Sequence, residues 1–341
     1  MDQKNSRREF LRIAVTAASV SALAEQIVAQ TSSTTSSGLP TRPLGKTGQR
    51  VSIIGLGGGH IGGIKDDSEA IRIVQAAADE GITFFDNAWD YSDGLAEERM
   101  GRALAAGNRR EKVFLMTKNC ERDYQGSMKD LEDSLRRLRT DHVDLWQFHE
   151  VNYDNDPEWV FEKGGVRAAL EARKAGKVRF IGFTGHKDPR IHLKMLSQPF
   201  NWDTVQMPIN VMDAHYRSFQ QQVVPVCLSR KIGVLGMKGL GGGAPKGRLD
   251  ARAGLSASEC YRFCLSLPVS TQILGITTLD QLKENVAMAR NFQPMSVEEK
   301  SALLARVKDG ATDGRYELFK STTQFDNGHH RKQHGFDVSA G

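Results

Sequence analysis

The strongest constraint on this chain is a rhythm along its middle. Short runs of β-branched and aromatic residues recur, each followed by a longer amphipathic stretch. That alternation is the pattern of parallel strands joined by helices. Strands are expected at 52–56, 82–86, 113–118, 143–149, 180–184, 204–209, 233–237 and 272–276, with helical patterns at 68–80, 128–138 and 279–289. Ser127 with Asp130, and Thr278 with Gln281, have capping-box spacing for the last two helices. The strand-end residues Asp86, Lys118, His149, Thr184, Gln206, Met237 and Gly275 follow one another at intervals of 22 to 38 residues. Eight βα units in roughly 250 residues is the size of a (β/α)8 TIM barrel. Ahead of the first strand, Lys46-Thr47-Gly48 can turn an N-terminal β-hairpin over 43–52.

A second α/β architecture competes. Gly57-Gly58-Gly59-His60-Ile61-Gly62 fits G-x-G-x-x-G, and Asp86 ends the next strand where a ribose-binding acid would stand. A doubly wound dinucleotide fold requires the helix to open within those glycines, with its N-terminus at the pyrophosphate. Here the first good helix start is Asp66-Asp67-Ser68, beyond them, which favours the barrel.

The two ends of the chain read differently. Ser6-Arg7-Arg8-Glu9-Phe10-Leu11-Arg12 precedes an uncharged apolar run from Ile13 to Ala24 that closes on Ala22-Leu23-Ala24. A charged start, a short apolar run and a small-x-small site make a secretory signal. The paired arginines resemble the twin-arginine signal, which exports proteins already folded. Residues 1–30 are therefore expected to be a Tat signal peptide and the protein to be periplasmic or otherwise exported. Cleavage after Ala24 removes Lys4, Arg7, Arg8, Arg12, Asp2 and Glu9 and lowers the formal charge from +5 to +3. No run of five basic residues remains, so nucleic acid is not an expected partner. No stretch reaches the roughly 18 apolar residues of a membrane span, so stable membrane insertion is not expected either.

Thr31 to Ser37 is all Ser/Thr and leads a tether over 31–41; a barrel over 42–308 follows, then a polar tail over 309–341 with His329, His330 and His334. That tail is a solvated extension, a flap over the active site or a metal segment. Metal is the weakest option, because the histidines lack the usual accompanying Cys, Asp and Glu pattern; no metal is expected. The four cysteines are too few for a disulfide scaffold. Cys260 and Cys264, four apart on a helix, read as packing residues, as do Cys120 and Cys227.

Chemistry gathers at the strand ends. Asp86, Lys118 and His149 end consecutive strands, and Tyr91 follows Asp86 by five residues. All strand C-termini of a parallel barrel open on one face, so these four converge. Taken singly, each has a bland alternative: a helix cap, a loop aromatic, a surface charge, a core histidine. Together they suit carbonyl reduction. Hydride arriving at a carbonyl carbon leaves charge on oxygen, and a phenol can supply the proton. A neighbouring ammonium favours the phenolate and lowers the phenol's pKa. A carboxylate fixes that ammonium, and an imidazole can donate to the developing oxyanion.

Several segments carry a resemblance: Arg42-Pro43-Leu44-Gly45-Lys46-Thr47-Gly48, Val51-Ser52-Ile53-Ile54-Gly55-Leu56-Gly57-Gly58, Phe85-Asp86-Asn87-Ala88-Trp89-Asp90-Tyr91, Met116-Thr117-Lys118, Asp144-Leu145-Trp146-Gln147-Phe148-His149 and Glu284-Asn285. In order and spacing they resemble the aldo-keto reductase family from about residue 42 to 307. The resemblance implies a (β/α)8 barrel that binds an extended nicotinamide cofactor at the strand C-termini. It implies Tyr91 as general acid/base, Lys118 and Asp86 as its tuning pair and His149 as the residue that orients the carbonyl. It further implies Gln206 on the nicotinamide carboxamide, with Thr184 and Gly185 beside it. Met237 stands where an aromatic residue often stacks, and Lys238-Gly239-Leu240-Gly241-Gly242 where the pyrophosphate lies. Gly275 and Gln281 replace the lysine and arginine that many members place near the adenosine 2′-phosphate, whereas Thr277, Thr278, Glu284 and Asn285 remain.

The expected cofactor is NADP(H), with NAD(H) as the alternative, since a 2′-phosphate without basic partners loses its best hydrogen bonds. The expected partners are a small carbonyl or alcohol substrate, a sugar among the candidates, and the twin-arginine export machinery. An exported enzyme would leave the cytosol with its cofactor bound. The rival function is a cofactor-binding sensor or interaction module on the same barrel, with little turnover.

Overall fold

A computed structural model of the protein describes residues 33–242 and 254–337; the signal-like residues 1–30 lie outside them. Eight parallel strands close a barrel: β4 (Ile54–Gly57), β5 (Phe84–Asp86), β6 (Phe114–Asn119), β7 (Val143–Phe148), β8 (Val178–Thr184), β9 (Thr204–Pro208), β10 (Gly233–Met237) and β11 (Thr271–Leu274). Neighbours pair in chain order, and β11 returns to β4 through Gln272 opposite Ile54. Closure excludes the doubly wound sheet. A six-residue helix, Gly58–Gly63, does open within the glycine-rich stretch, contrary to expectation. It is held at its far end by buried Arg99, which donates to the Ile61 and Gly62 carbonyls at 2.8 Å each.

The barrel has two apolar layers. Inside, Phe84, Phe114, Met116, Leu145, Leu235 and Ile273 fill the lumen, with the Phe84 and Phe114 rings stacked at 5.5 Å. Outside, Ile, Val, Leu and Ala of the helices pack on the outward strand residues. The helix Asp67–Asp79 shows why such a segment forms: Asp66 accepts from the Glu69 N–H at 2.9 Å, and Ala70, Ile73, Val74, Ala77 and Ala78 bury one face.

At the N-terminal end of the lumen, the expected hairpin is present as β2 (Pro40–Pro43) against β3 (Arg50–Ser52). Leu44 and Val51 plug the bottom of the inner core. Gly45 turns at φ +54° with its Cα against the Gly233 backbone, where a Cβ would collide. A further strand, β1 (Ser33–Thr34), pairs with β2, so part of the expected tether belongs to this sheet. Ser37 Oγ then ties the segment to the Glu80 carbonyl at 2.8 Å.

Two local expectations are corrected. The second helix runs Tyr124–Leu138 and is capped by Asp123, which accepts from Gly126 N–H at 2.9 Å. Ser127 and Asp130 are instead buried against the end of β6: Asn119 Nδ2 donates to Ser127 Oγ at 2.8 Å, and the Cys120 N–H to Asp130 at 3.0 Å. Thr278 does cap Leu279–Arg290, but the Gln281 side chain turns to the Thr277 N–H.

The tail is not a solvated extension where it is described. After helix Val297–Ala311, short helices at Leu318–Ser321 and Gly328–Gln333 fold back over the C-terminal mouth of the barrel. Lys320 is fully buried between Asp213 (2.7 Å) and Glu317 (3.0 Å), and His330 is buried as well. Among the described residues no helix is long and apolar enough to cross a membrane, and all four cysteines are buried and outside any disulfide.

Candidate active site

The mouth is built by the ends of β5, β6 and β7 and the loop after β5. Lys118 Nζ donates to Asp86 Oδ1 (2.7 Å), to the Asn87 carbonyl (2.7 Å) and to Tyr91 Oη (3.1 Å). Lys118 and Asp86 are almost wholly buried, so the pair is strong and geometrically fixed. Tyr91 reaches this lysine because Ser92 and Asp93, at φ 51° and 54°, turn the chain sharply behind it. The His149 ring meets the Tyr91 ring edge-on at 5.5 Å. The four predicted strand-end residues are thus brought together.

Electrostatics corrects one expectation. Burial, reinforced by Asp86, Asp90 and Glu150, pushes the Tyr91 phenol well above its usual range, despite Lys118. That direction favours the protonated phenol over the phenolate. Burial also lowers His149, against the opposing charge of Asp90, whose Oδ1 lies 3.0 Å from Nδ1. Burial raises Asp90, but His149 outweighs it and holds that carboxyl below the usual range. Glu150, buried at φ 46°, is raised well above the carboxylate range by burial and by Asp90.

A cleft of about 660 Å³ extends from Asp86 and Tyr91 across the ends of β9, β10 and β11. Of the predicted cofactor residues, Gln206, Met237, Lys238, Gly239, Leu240, Gly241, Gly275, Thr277 and Gln281 line it. Thr184 and Gly185 instead line a chamber of about 120 Å³ with Tyr91, Lys118 and His149. Thr278, Glu284 and Asn285 are not among the described lining residues. The helix Leu279–Arg290 reaches the cleft through Gln281 in its first turn, and Thr278 is spent on its cap.

The cleft's polar groups fit an extended dinucleotide. Gln206 Nε2 donates to Asp86 Oδ2 at 2.8 Å, which leaves its Oε1 buried and without a donor, as a carboxamide would require. A Cβ on Gly239 would press on Gln272 and the Tyr261 ring, so the backbone there lies bare to the cleft. Lys238, at φ 57°, is the one lysine or arginine among the described lining residues, and burial lowers it to about 8.

Sequence patterns missed His60, whose ring lies over Gly275, and Tyr261. For the tail they left a flap over the active site as one alternative among three, without naming its residues. Gln324, Phe325, Asp326 and Asn327 line a further chamber of about 290 Å³ with Asp90, Tyr91 and Glu150. Asp326 is fixed there by Lys187 (2.6 Å), His186 (3.1 Å) and Tyr153. Only the asparagine-glycine turn at Asn327-Gly328 hinted that this segment bends.

A closed barrel with a Tyr-Lys-Asp-His mouth and a long nucleotide-sized cleft defines a class of oxidoreductase, and comparison with known proteins places it. The model of the Aldo/keto reductase family matches residues 53–255, and the chain belongs to that family. It is an oxidoreductase of a family that generally uses NAD(P)H. It is 33% identical over 241 residues to the uncharacterized oxidoreductase YrpG of Bacillus subtilis (strain 168), covering 63% of this chain and 71% of that one. It is 23% identical over 314 residues to L-galactose dehydrogenase of Arabidopsis thaliana, covering 79% and 95%. In fold it is similar to the holo form of aldo-keto reductase AKR11C1 from Bacillus halodurans, with a TM-score of 0.66, 24% identity and coverage of 79% and 96%.

Proposed function

We propose that this protein reduces a small, hydroxyl-bearing aldehyde or ketone, of the sugar class, with a nicotinamide dinucleotide. The observation that carries this is Lys118 Nζ, held between Asp86 and Tyr91 Oη at the edge of the cleft. The bound nicotinamide supplies the hydride. Tyr91, kept protonated by burial and by the surrounding carboxylates, gives its proton to the carbonyl oxygen. Lys118, fixed by Asp86, stabilises the phenolate left behind. His149, lining the same chamber, orients the carbonyl.

Gln206 would hold the carboxamide, and Lys238 with the bare backbone of Gly239 and Gly241 the pyrophosphate. The uncharged set Gly275, Thr277 and Gln281 would face the adenosine end. Hydroxylated substrates are favoured by the chamber roofed by Asp326 and Asn327, whose lining is largely polar and carries Asp90 and Glu150. The likeness to a plant sugar dehydrogenase agrees with that class.

The arginine pair and apolar run of residues 1–30 support export by the twin-arginine route, with the cofactor carried out in the folded protein. Protein purified from the exported fraction should then release nucleotide on denaturation; none by mass spectrometry would defeat the idea. For the chemistry, Tyr91→Phe should lower kcat for aldose or simple aldehyde reduction by about 10²–10⁴-fold while leaving the cofactor Kd unchanged. Unchanged turnover would remove Tyr91 from the mechanism.

A further inference from the structure

On the inner side of His149 lies a second constellation, of which the proposed mechanism uses only His149 itself. Asp90 comes from the loop after β5, Cys120 from the end of β6, His149 from the end of β7 and His330 from the tail helix Gly328–Gln333. All four are buried, and one potential ligand atom from each lies within 4.8 Å of the others. One of the separations already suits ligands on one ion, Cys120 Sγ to His149 Nδ1 at 3.7 Å; His149 Nδ1 to Asp90 Oδ1, at 3.0 Å, is an ion-pair distance that has to open by a few tenths of an ångström. Tetrahedral zinc, with bonds of about 2.0–2.3 Å, separates its ligands by about 3.3–3.8 Å.

One side chain of the four, His330, is poised without the partners that burial demands. Neither ring nitrogen of His330 has a hydrogen-bond partner; its ring is held by contacts with the His149 ring at 5.3 Å and the His329 ring at 5.7 Å. Asp90 faces the same space, its Oδ1 3.0 Å from His149 Nδ1. Leaving a buried imidazole such as His330 dry and unpaired is costly, and a cation at the centre of the four would satisfy it.

We propose that Asp90, Cys120, His149 and His330 form a binding site for a divalent cation of the zinc class, which clasps the tail to the catalytic wall. One thiol, two imidazoles and one carboxylate is a zinc-type donor set, whereas magnesium and calcium favour all-oxygen shells. Coordination takes the thiol proton from Cys120 into solvent. It engages His149 through Nδ1, so the ring's proton resides on Nε2, on the far side of the imidazole. The ion thus joins three strand-end segments to a residue more than 180 positions away in sequence.

The test uses untagged full-length protein stripped with a chelator. Titration with Zn²⁺ against a chromophoric chelator, with metal analysis after gel filtration, should show one equivalent retained. Co²⁺ in its place should give a thiolate-to-cobalt charge-transfer band. His330→Ala and the near-isosteric Cys120→Ser should each weaken binding more than about tenfold, the loss that even an outer partner of a ligand causes. Cys120→Ser should also abolish the charge-transfer band, whereas His329→Ala, whose ring pairs with Glu121 at 3.1 Å, should change neither. Zn²⁺ should slow proteolysis between residues 318 and 337 in wild type and not in His330→Ala. No retained equivalent, or wild-type affinity in both ligand variants, would overturn the site.

Discussion

The two ends of this barrel bury charge in opposite ways. At the bottom, Arg42 is wholly enclosed and spends its guanidinium on carbonyl oxygens: Leu265 at 2.7 Å, Val269 at 2.9 Å and Leu267 at 3.3 Å. These close the end of helix Ala257–Leu265 and the turn after it, so the charge acts as a staple. At the mouth, Lys118, Asp86, Asp90, Glu150 and Lys238 crowd around open chambers, and Gln206 Oε1 and both ring nitrogens of His330 lack partners. Apart from Nε, which has no hydrogen-bond partner, the guanidinium nitrogens of Arg42 are satisfied by the chain, and a buried charge so held serves stability. One that is left partly unsatisfied is held ready for something the chain does not contain.

That contrast can be broken first at Lys118. Lys118→Met should lower kcat/KM for carbonyl reduction by at least about a hundredfold, and leave Asp86 buried without its cation at a cost of about 3–5 kcal/mol. Steady-state kinetics with a denaturant titration would read both. Arg42→Met should instead cost about 3 kcal/mol by stranding its carbonyls, with kcat/KM unchanged in the surviving folded protein. A kinetic defect there would blur the division between the two ends.

Lys238→Met should raise the cofactor Kd about ten- to a hundredfold, read by fluorescence titration, without lowering thermal stability, because it removes a charge that burial already disfavours. The smallest effect concerns pH. Lys238 is charged below about 8 and neutral above it. Affinity for an anionic dinucleotide should therefore fall several-fold as pH rises from 7 to 9. The same titration on Lys238→Met should be flat over that window.

Most of the barrel was legible because its strands carry a local signature. The run 233–237 coincides with β10, and the other seven strands lie within about two residues of expectation. The convergence of Asp86, Tyr91, Lys118 and His149 was legible for a related reason: a strand end is a position that topology brings to one face whatever the loops do. Ser127 and Asp130 misled because capping spacing also occurs where polar side chains turn inward, here onto Asn119 and the Cys120 N–H. Glu284 and Asn285 lie one turn further along their helix than Gln281, which meets the cleft. The tail was hardest. Its polarity reads as solvation until Asp213 and Glu317 are seen around Lys320, and Lys187 and His186 around Asp326. Apart from Glu317 with Lys320, which are three residues apart, these pairings join residues more than a hundred positions apart and leave no periodic trace in sequence.

The roof of the mouth also sets an order of assembly. Lys320 docks on Asp213, and Asp326 on Lys187, only after the strands beneath them exist. Residues 318–333 are also among the last of the described chain to emerge during synthesis. The barrel must itself close first, by joining β11 to β4 across more than two hundred residues, which is a slow, non-local step. Until residues 318–333 settle, the cleft and Tyr91 stand open from above. A newly made molecule therefore passes through an interval in which a large ligand can enter freely, and loses that easy route once synthesis and folding are complete.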